Sequence, residues 1–518
     1  MKWLRWLACL FLFCVVGTSR AHIGSPDVFY EGAIGPYPAH VTIRMPVVVP
    51  GRAQILVRTD TNSPVEVSFR PLFVGSAVTN APPADIGHLV PGETNLYTGD
   101  LWLMTFGGYS IEVKMRGAAG EGAVEIPVNS VALKQMPMPR AMGIILSALG
   151  VLLVLGGAAI VKGAASDSTI APGVAAGKRE RRKGWIAGSV TLFIVTGALV
   201  LGALWWKLDE RQFREQLNST NPPKLSAETR VEGSQRILRL TLGDAALDSD
   251  GLLRLLPDHD KLVHLFLIRQ DARDAFAHLH PIRKGNAAFE VALPPLPAGR
   301  YDIFCDLTLE NSGLSTTATN VVELPPPVAE NVSFQRIKIL DADPDDSWAA
   351  SPNATLPPMG TATNAVFQFA DGGRVVWKAH GPLRARQDAG LQFEVTDAAG
   401  NPARLEPYMG MISHAAVLRA DNGVFAHLHP AGNFSMAAQR FYESKLAVEN
   451  AACAPPGTSL PANAEHSIAG HGNHISSGEN STISLPYEFP TAGNYRVWVQ
   501  IKTGGRVLTA VFDAMVSG

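Results

Sequence analysis

The sequence predicts a mainly β protein: tandem immunoglobulin-like β-sandwich domains plus two transmembrane α-helices. Three observations carry that prediction. Short runs with period-two alternation of apolar and polar residues recur along the chain, separated by Gly, Pro and Asn. Two uncharged apolar segments of about 20 residues interrupt them, each long enough to cross a bilayer as a helix. One order of landmarks, ending in A-H-L-H-P, occurs twice. The bulk composition agrees: 518 residues with 48 Gly, 37 Pro and 17% charged side chains suit several small domains built from strands and turns. With 44 basic against 46 acidic residues there is no general attraction to nucleic acid, and none is expected as a partner.

Residues 1–21 (MKWLRWLACLFLFCVVGTSRA) have a basic start, an apolar run and small residues at Ser19 and Ala21, the layout of a secretory signal peptide. Cleavage after Ala21 removes Cys9 and Cys14 and leaves Cys305, in a strand-like run, and Cys453, in a loop. Because these two belong to different domains, a disulfide and two separate thiols both stay open. The same cleavage makes His22 the first residue. An amino-terminal histidine chelates copper through its amine and ring together, and His40 or His88 would be its partner.

Residues 22–138 read as the first extracytoplasmic sandwich, from HVTIRMPVVV, AQILVRT, VEVSFRPLF, YSIEVKM and GAVEIPV. Residues 141–161 and 185–206 are the expected membrane spans, with Trp185, Trp205 and Trp206 at interfacial positions. The loop between them, 162–184, carries KRERRK and is expected in the cytoplasm, which places both large regions on the periplasmic or extracytoplasmic side of the inner membrane. Residues 207–233 read as a juxtamembrane helix and linker, and 234–325 as the second sandwich. A Pro- and Asp-rich linker follows at 326–364, and the third sandwich occupies 365–518. In the linker, DADPDD lacks the glycine and distant Glu of an EF-hand, so a solvated connector is expected there rather than a calcium loop.

The second and third sandwiches are repeats: a lone His, a turn, F-A-H-L-H-P, and then LPAGRYDIF in one and FPTAGNYRVWV in the other. The third copy carries an insertion at about 435–481, starting with a helix-like stretch and ending in a polar loop with His466, His471 and His474.

On a strand, residues i and i+2 share a face, so His278 pairs with His280 and His427 with His429. A hairpin centred on Asp421–Asn422 sets His414 opposite His429, and a loop centred near Ala272 sets His264 opposite His280. Such clusters suit copper or zinc. The candidate metal ligands are therefore His414, His427, His429, His264, His278 and His280, with Met409 and Met411 as soft partners favouring Cu(I). Met436 reads rather as core. The structural alternative for the histidines is a polar rim or core face, since Phe276 and Phe425 lie on the same side as the histidine pairs. No Gly-rich phosphate loop, GxSxG, HExxH or CxxC occurs, so no enzyme activity is expected.

GDLWLMTFGGYSIEVKMRGAAGEGAVEIPV resembles the closing hairpin of the YtkA-like and FixH-like families of small membrane-associated sandwiches, which implies metal handling or respiratory-oxidase assembly. LEPYMGMISHAAVLRADNGVFAHLHPAGNFSMAAQ, DPDDSW and KLVHLFLIRQDARDAFAHLHP resemble a family of uncharacterised bacterial membrane proteins with repeated HLHP sandwich domains. The combined expectation is a membrane-anchored copper-binding protein for trafficking, tolerance or oxidase assembly, whose partners are the membrane and a respiratory or metal-transport complex. The alternative is a non-metal scaffold of tandem sandwiches.

Overall fold

The computed structural model describes residues 26–518 apart from 61–63, 134–137, 172, 234, 244–246, 248–250, 328–341, 351–358, 360–362, 364, 379–380 and 454–480. The expected signal peptide, His22, and the insertion histidines His466, His471 and His474 lie outside the described residues. The chain forms two compact units, Lys134–Ser219 and the remainder.

The smaller unit is a helical hairpin. Helices Arg140–Asp167 and Lys178–Ser219 are each long and apolar enough to cross a membrane. They touch through small residues: a Cβ on Gly184 would lie 2.7 Å from the Lys162 carbonyl oxygen, and one on Gly188 would lie 3.1 Å from the Lys162 Cβ. Two expectations change here. The basic run Lys178–Lys183 forms the opening turns of the second helix rather than a loop. The juxtamembrane segment is the unbroken end of that same helix, because Lys207–Leu217 consists largely of strong helix formers and carries an i,i+4 Glu210–Arg214 pair. Pro222 and Pro223 follow the helix end.

The larger unit is built from six antiparallel sheets, two per sandwich. In the first sandwich, strands such as Tyr37–Arg44 and Gly51–Thr59 alternate buried and exposed residues, and Val41, Ile55, Phe69, Ile111 and Ile126 fill the core between the sheets. The second sandwich begins earlier than the repeat landmarks suggest: Lys224–Glu232, read as linker, pairs along its whole length with Gln235–Gly243. It also ends later. Ser347–Ala350, inside the expected connector, adds to the sheet beside Ala275–Leu279. The third sandwich closes with Gly493–Thr503 and Arg506–Val516, joined at Gly504 and Gly505, whose φ values of 56° and 69° suit a tight hairpin turn.

The strands that carry the histidines do not alternate. His264–Arg269, Ala275–Leu279, Ser413–Arg419 and Phe425–Leu428 are buried on both faces or nearly so. One face of each feeds the core of its own sandwich, through Leu265 and Leu267 in one copy and Ala415 and Val417 in the other. The opposite faces meet each other. Phe266, Phe276, Phe304, Phe425 and Trp498 form a separate apolar cluster between the two repeats. Phe304 stacks on Phe425 with centroids 4.2 Å apart, and Phe276 stacks on Trp498 at 5.1 Å. The pairing is reciprocal about a pseudo-twofold axis: the HLHP-strand phenylalanine of each copy packs on an aromatic of the other copy's long closing-hairpin strand.

Candidate metal centre

The two histidine hairpins have the registers that turn centring predicts. Ala415 faces Leu428 and Leu265 faces Leu279, so one further step sets His414 across from His429 and His264 across from His280. Because the HLHP faces of both copies point into the repeat interface, all six predicted histidines converge on a single place, beyond the end of the aromatic cluster. A seventh, His259, joins them from the turn before His264. His259 lies 5.3 Å from His414 and 5.2 Å from His429 between ring centroids, across the interface. His427 links the two halves, 5.3 Å from His264 and 4.5 Å from His429.

Two sets of imidazole nitrogens lie within 4.8 Å of one another: His264, His278 and His280 in one, and His259, His414 and His429 in the other. In the first set His264 Nδ1 and His278 Nε2 are 3.1 Å apart. An ion held at about 2.0–2.1 Å from each would subtend about 100° between them, close to a tetrahedral angle. The outer nitrogens are already engaged. His278 Nδ1 faces Gln500 Oε1 at 3.0 Å, across the repeat interface. His280 Nδ1 faces Asp346 Oδ1 at 3.0 Å, the carboxylate–histidine pairing that orients a ring for metal. In the other copy His427 Nδ1 lies 3.5 Å from Asp306 Oδ2, again across the interface.

Proton accounting fixes which tautomers the cluster can hold. If His278 donates from Nδ1 to Gln500, its Nε2 carries a lone pair, and His264 Nδ1 must donate to it. His264 Nε2 sits 3.2 Å from the Asp258 carbonyl oxygen, which only accepts. Satisfying both contacts makes His264 an imidazolium. Burial opposes that charge and holds His264 well below the usual histidine range, with the neighbouring imidazoles adding to the effect. Burial is also the leading cause that depresses His278, His414 and His429 strongly and His259 less. A neutral cluster satisfies these contacts when the Gln500 amide N–H faces His278 Nδ1, so that His278 Nε2 donates to His264 Nδ1 and His264 Nε2 donates to the Asp258 carbonyl. Elsewhere in the cluster, His259, His280, His414, His427 and His429 each keep at least one buried ring nitrogen without a hydrogen-bond partner among the described residues. Ring nitrogens without a hydrogen-bond partner, with Asp258, Asp306 and Asp346 beside them, form a donor set for a divalent or monovalent transition metal.

Although buried, the centre is reached from outside. A cleft of about 210 Å³ where the three sandwiches meet is lined by Asn129, Asp258, His264, Asp306, His427 and His429.

The methionines fare differently from the histidines. Met411 is partly buried against the core of the first sandwich, in which Met436 is fully buried. Met409 is 7% exposed, in the Tyr408–Met411 turn. His40 pairs with Glu31 at 3.8 Å on the first sandwich. Cys305 is a free, buried thiol in the second core.

Two contributions escaped the sequence reading. His259 went unnoticed, though PDHDKLVH aligns with PYMGMISH and puts it five residues before the lone His. The acidic connector also takes part. Asp343 pairs with Lys261 at 2.6 Å, Asp345 with Lys502 at 3.2 Å, and Asp346 accepts from both the backbone and the ring of His280.

Comparison with known proteins adds little chemistry. No curated protein matches the sequence. Among solved structures, Escherichia coli alpha-2-macroglobulin activated by porcine elastase is 8% identical, over 95% of this chain and 44% of that one, with a TM-score of 0.19. The trypsin-activated alpha-2-macroglobulin from Escherichia coli is 8% identical over 96% and 24%, with a TM-score of 0.15. SGBP-B from a complex xyloglucan utilization locus in Bacteroides uniformis is 9% identical over 94% and 98%, at 0.16. The chain spans less than half the length of either macroglobulin, and likenesses of this size carry no functional assignment. Residues 368–518, the third sandwich with His414, His427 and His429, match a family described as a domain of unknown function (DUF8832).

Proposed function

We propose that this protein binds copper, with zinc as the alternative ion, at a histidine centre shared by its two repeats, as a membrane-anchored extracytoplasmic protein of metal trafficking, tolerance or oxidase assembly. The observation that carries the reading is the convergence of imidazoles from both repeats, five of which keep a buried ring nitrogen without a hydrogen-bond partner among the described residues, with His264 Nδ1 and His278 Nε2 3.1 Å apart. The two apolar helices, the second opening with the basic run Lys178–Lys183, support the anchored, extracytoplasmic placement. The resemblance of the first sandwich to YtkA-like domains supports the metal-handling context. A purely structural seam, in which the histidines only join the repeats, accounts for the Gln500 and Asp306 contacts but not for the orphaned nitrogens.

The test is elemental analysis of the full-length protein, purified in detergent without chelator and then loaded with copper or zinc. The proposal expects retention of one to two ions per chain through gel filtration, and loss of that retention in His278→Ala/His427→Ala. A wild-type protein that retains no copper or zinc contradicts it.

A further inference from the structure

The two three-histidine sets are not equivalent under the pseudo-twofold axis, and the difference has chemical content. His259 reaches across the interface to His414 and His429. The residue that takes its place in the third sandwich is Met409. Both stand five residues before the lone His. Both occupy the second position of a turn closed by paired backbone hydrogen bonds, Asp258 with Lys261 at 2.8 and 2.9 Å and Tyr408 with Met411 at 2.7 and 3.1 Å. Both have a φ of 49°, followed by another left-handed residue, Asp260 or Gly410. Neither His nor Met adopts that φ without local strain, which a fold tolerates where it fixes a useful side chain.

Contacts around the axis have counterparts on both sides, though not equal ones: the His264–His427 rings are 5.3 Å apart and the matching His278–His414 rings 6.5 Å. His278 reaches Gln500 and His427 reaches Asp306, and these acceptors stand at the same register position beside the lone His of their own copy. Corresponding ring spacings within the copies agree closely: His264–His280 is 5.2 Å against 4.9 Å for His414–His429, and His278–His280 is 4.8 Å against 4.5 Å for His427–His429. The approximate operation that relates the copies would turn Met409 toward His264 and His280, as His259 turns toward His414 and His429.

Resting on the proposed metal reading, we infer that the Met409 thioether completes the ion site of His264, His278 and His280, as His259 completes that of His414 and His429. The centre is then two unlike sites: one contains sulfur and favours Cu(I), and the other is all imidazole and accepts Cu or Zn.

The test is X-ray absorption at the copper edge on the full-length protein loaded with Cu(I), with Met409→Leu and Met409→His beside it. The inference expects a sulfur scatterer together with imidazoles in the wild type, and its loss in both variants. It also expects a fall of about tenfold or more in the Cu(I) affinity of one site in Met409→Leu, with zinc binding unchanged. Wild-type copper bound by imidazoles alone, or sulfur scattering that persists in Met409→Leu, overturns this inference and leaves the histidine centre standing. A wild type that takes up no copper overturns both.

Discussion

The second and third sandwiches share a frame and differ in what they bring to it. Each has a lone His, an HLHP pair, a turn with two left-handed residues and a long closing hairpin. Where the second copy has His259, Phe266 and Asp306, the third has Met409, Ala416 and Gln500 at the matching positions. Phe266 stacks on the His278 ring at 4.2 Å, and Ala416 offers His427 no such partner. The second copy gains the strand Ser347–Ala350 along its sheet edge, whereas the third carries the helix Met436–Cys453, which packs against the first sandwich. One three-histidine set, His264, His278 and His280, lies wholly in the second copy, and the other is drawn from both. His259 belongs to a set completed by the third copy, and Gln500 orients a histidine of the second. The lesson is that the repeat is a device for facing two similar histidine surfaces at each other, and that substitutions at matched positions give the two halves unlike chemistry.

Parting the faces should have the largest effect. Phe425→Ala empties the partner of Phe304 at the centre of the interface and should lower stability by about 3–5 kcal/mol, read by thermal unfolding, with metal retention falling alongside. A loss under about 1 kcal/mol would mean that the repeats hold together without this stack. Breaking the buried Arg496–Asp513 pair, which also anchors Arg496 Nη1 to the Arg273 carbonyl of the other repeat at 2.9 Å, should rank close behind. Arg496→Leu leaves a buried carboxylate uncompensated, at about 3 kcal/mol or more in the same assay.

The orienting residues sharpen the comparison. Gln500→Leu should weaken ion binding about 10–100-fold through His278, whereas Asp306→Asn, at a contact of 3.5 Å, should cost less. Equal losses in metal titrations would deny the asymmetry.

Protons offer a third lever. His264, His278, His414 and His429 are held below their ordinary value of 6.5 in the fold, so the unfolded chain binds more protons once pH drops below about 6.5. Their contribution to stability is complete above that pH and is lost as pH falls toward their folded values, at up to about 1.4 kcal/mol per pH unit for each. Denaturant unfolding of metal-free protein from pH 8 to 5 should show this slope, and Ala at two of these histidines should flatten it. The smallest effect belongs to the first sandwich: His40→Ala should change stability by less than about 0.5 kcal/mol and leave metal retention untouched.

Much of this was legible in the sequence, for identifiable reasons. Period-two alternation and turn residues are local, so the sandwiches and the hairpin registers followed from spacing. His414 opposite His429 needed only the centre of one turn. The meeting of the repeats is non-local, yet it left a trace: HLFLIR, HAAVL and YRVWVQI carry apolar residues on both faces, the pattern of strands covered on two sides rather than one. His259 escaped because it lies in a turn, where strand periodicity is silent and only alignment of the two copies exposes it. The DADPDD segment escaped because acidic, Pro-rich stretches usually lie in solvent; here Lys261 and Lys502 draw it onto the sheet edge beside His280.

The most direct measurement is the copper stoichiometry and affinity of the full-length protein in the wild type and in His259→Ala. If one centre is built from both repeats, removing a residue of the second sandwich should weaken the ion held by His414 and His429 of the third, by about 100-fold or more, while the other ion stays. Unchanged affinity for every bound ion in His259→Ala would show that each sandwich binds alone or not at all, and would contradict the shared centre.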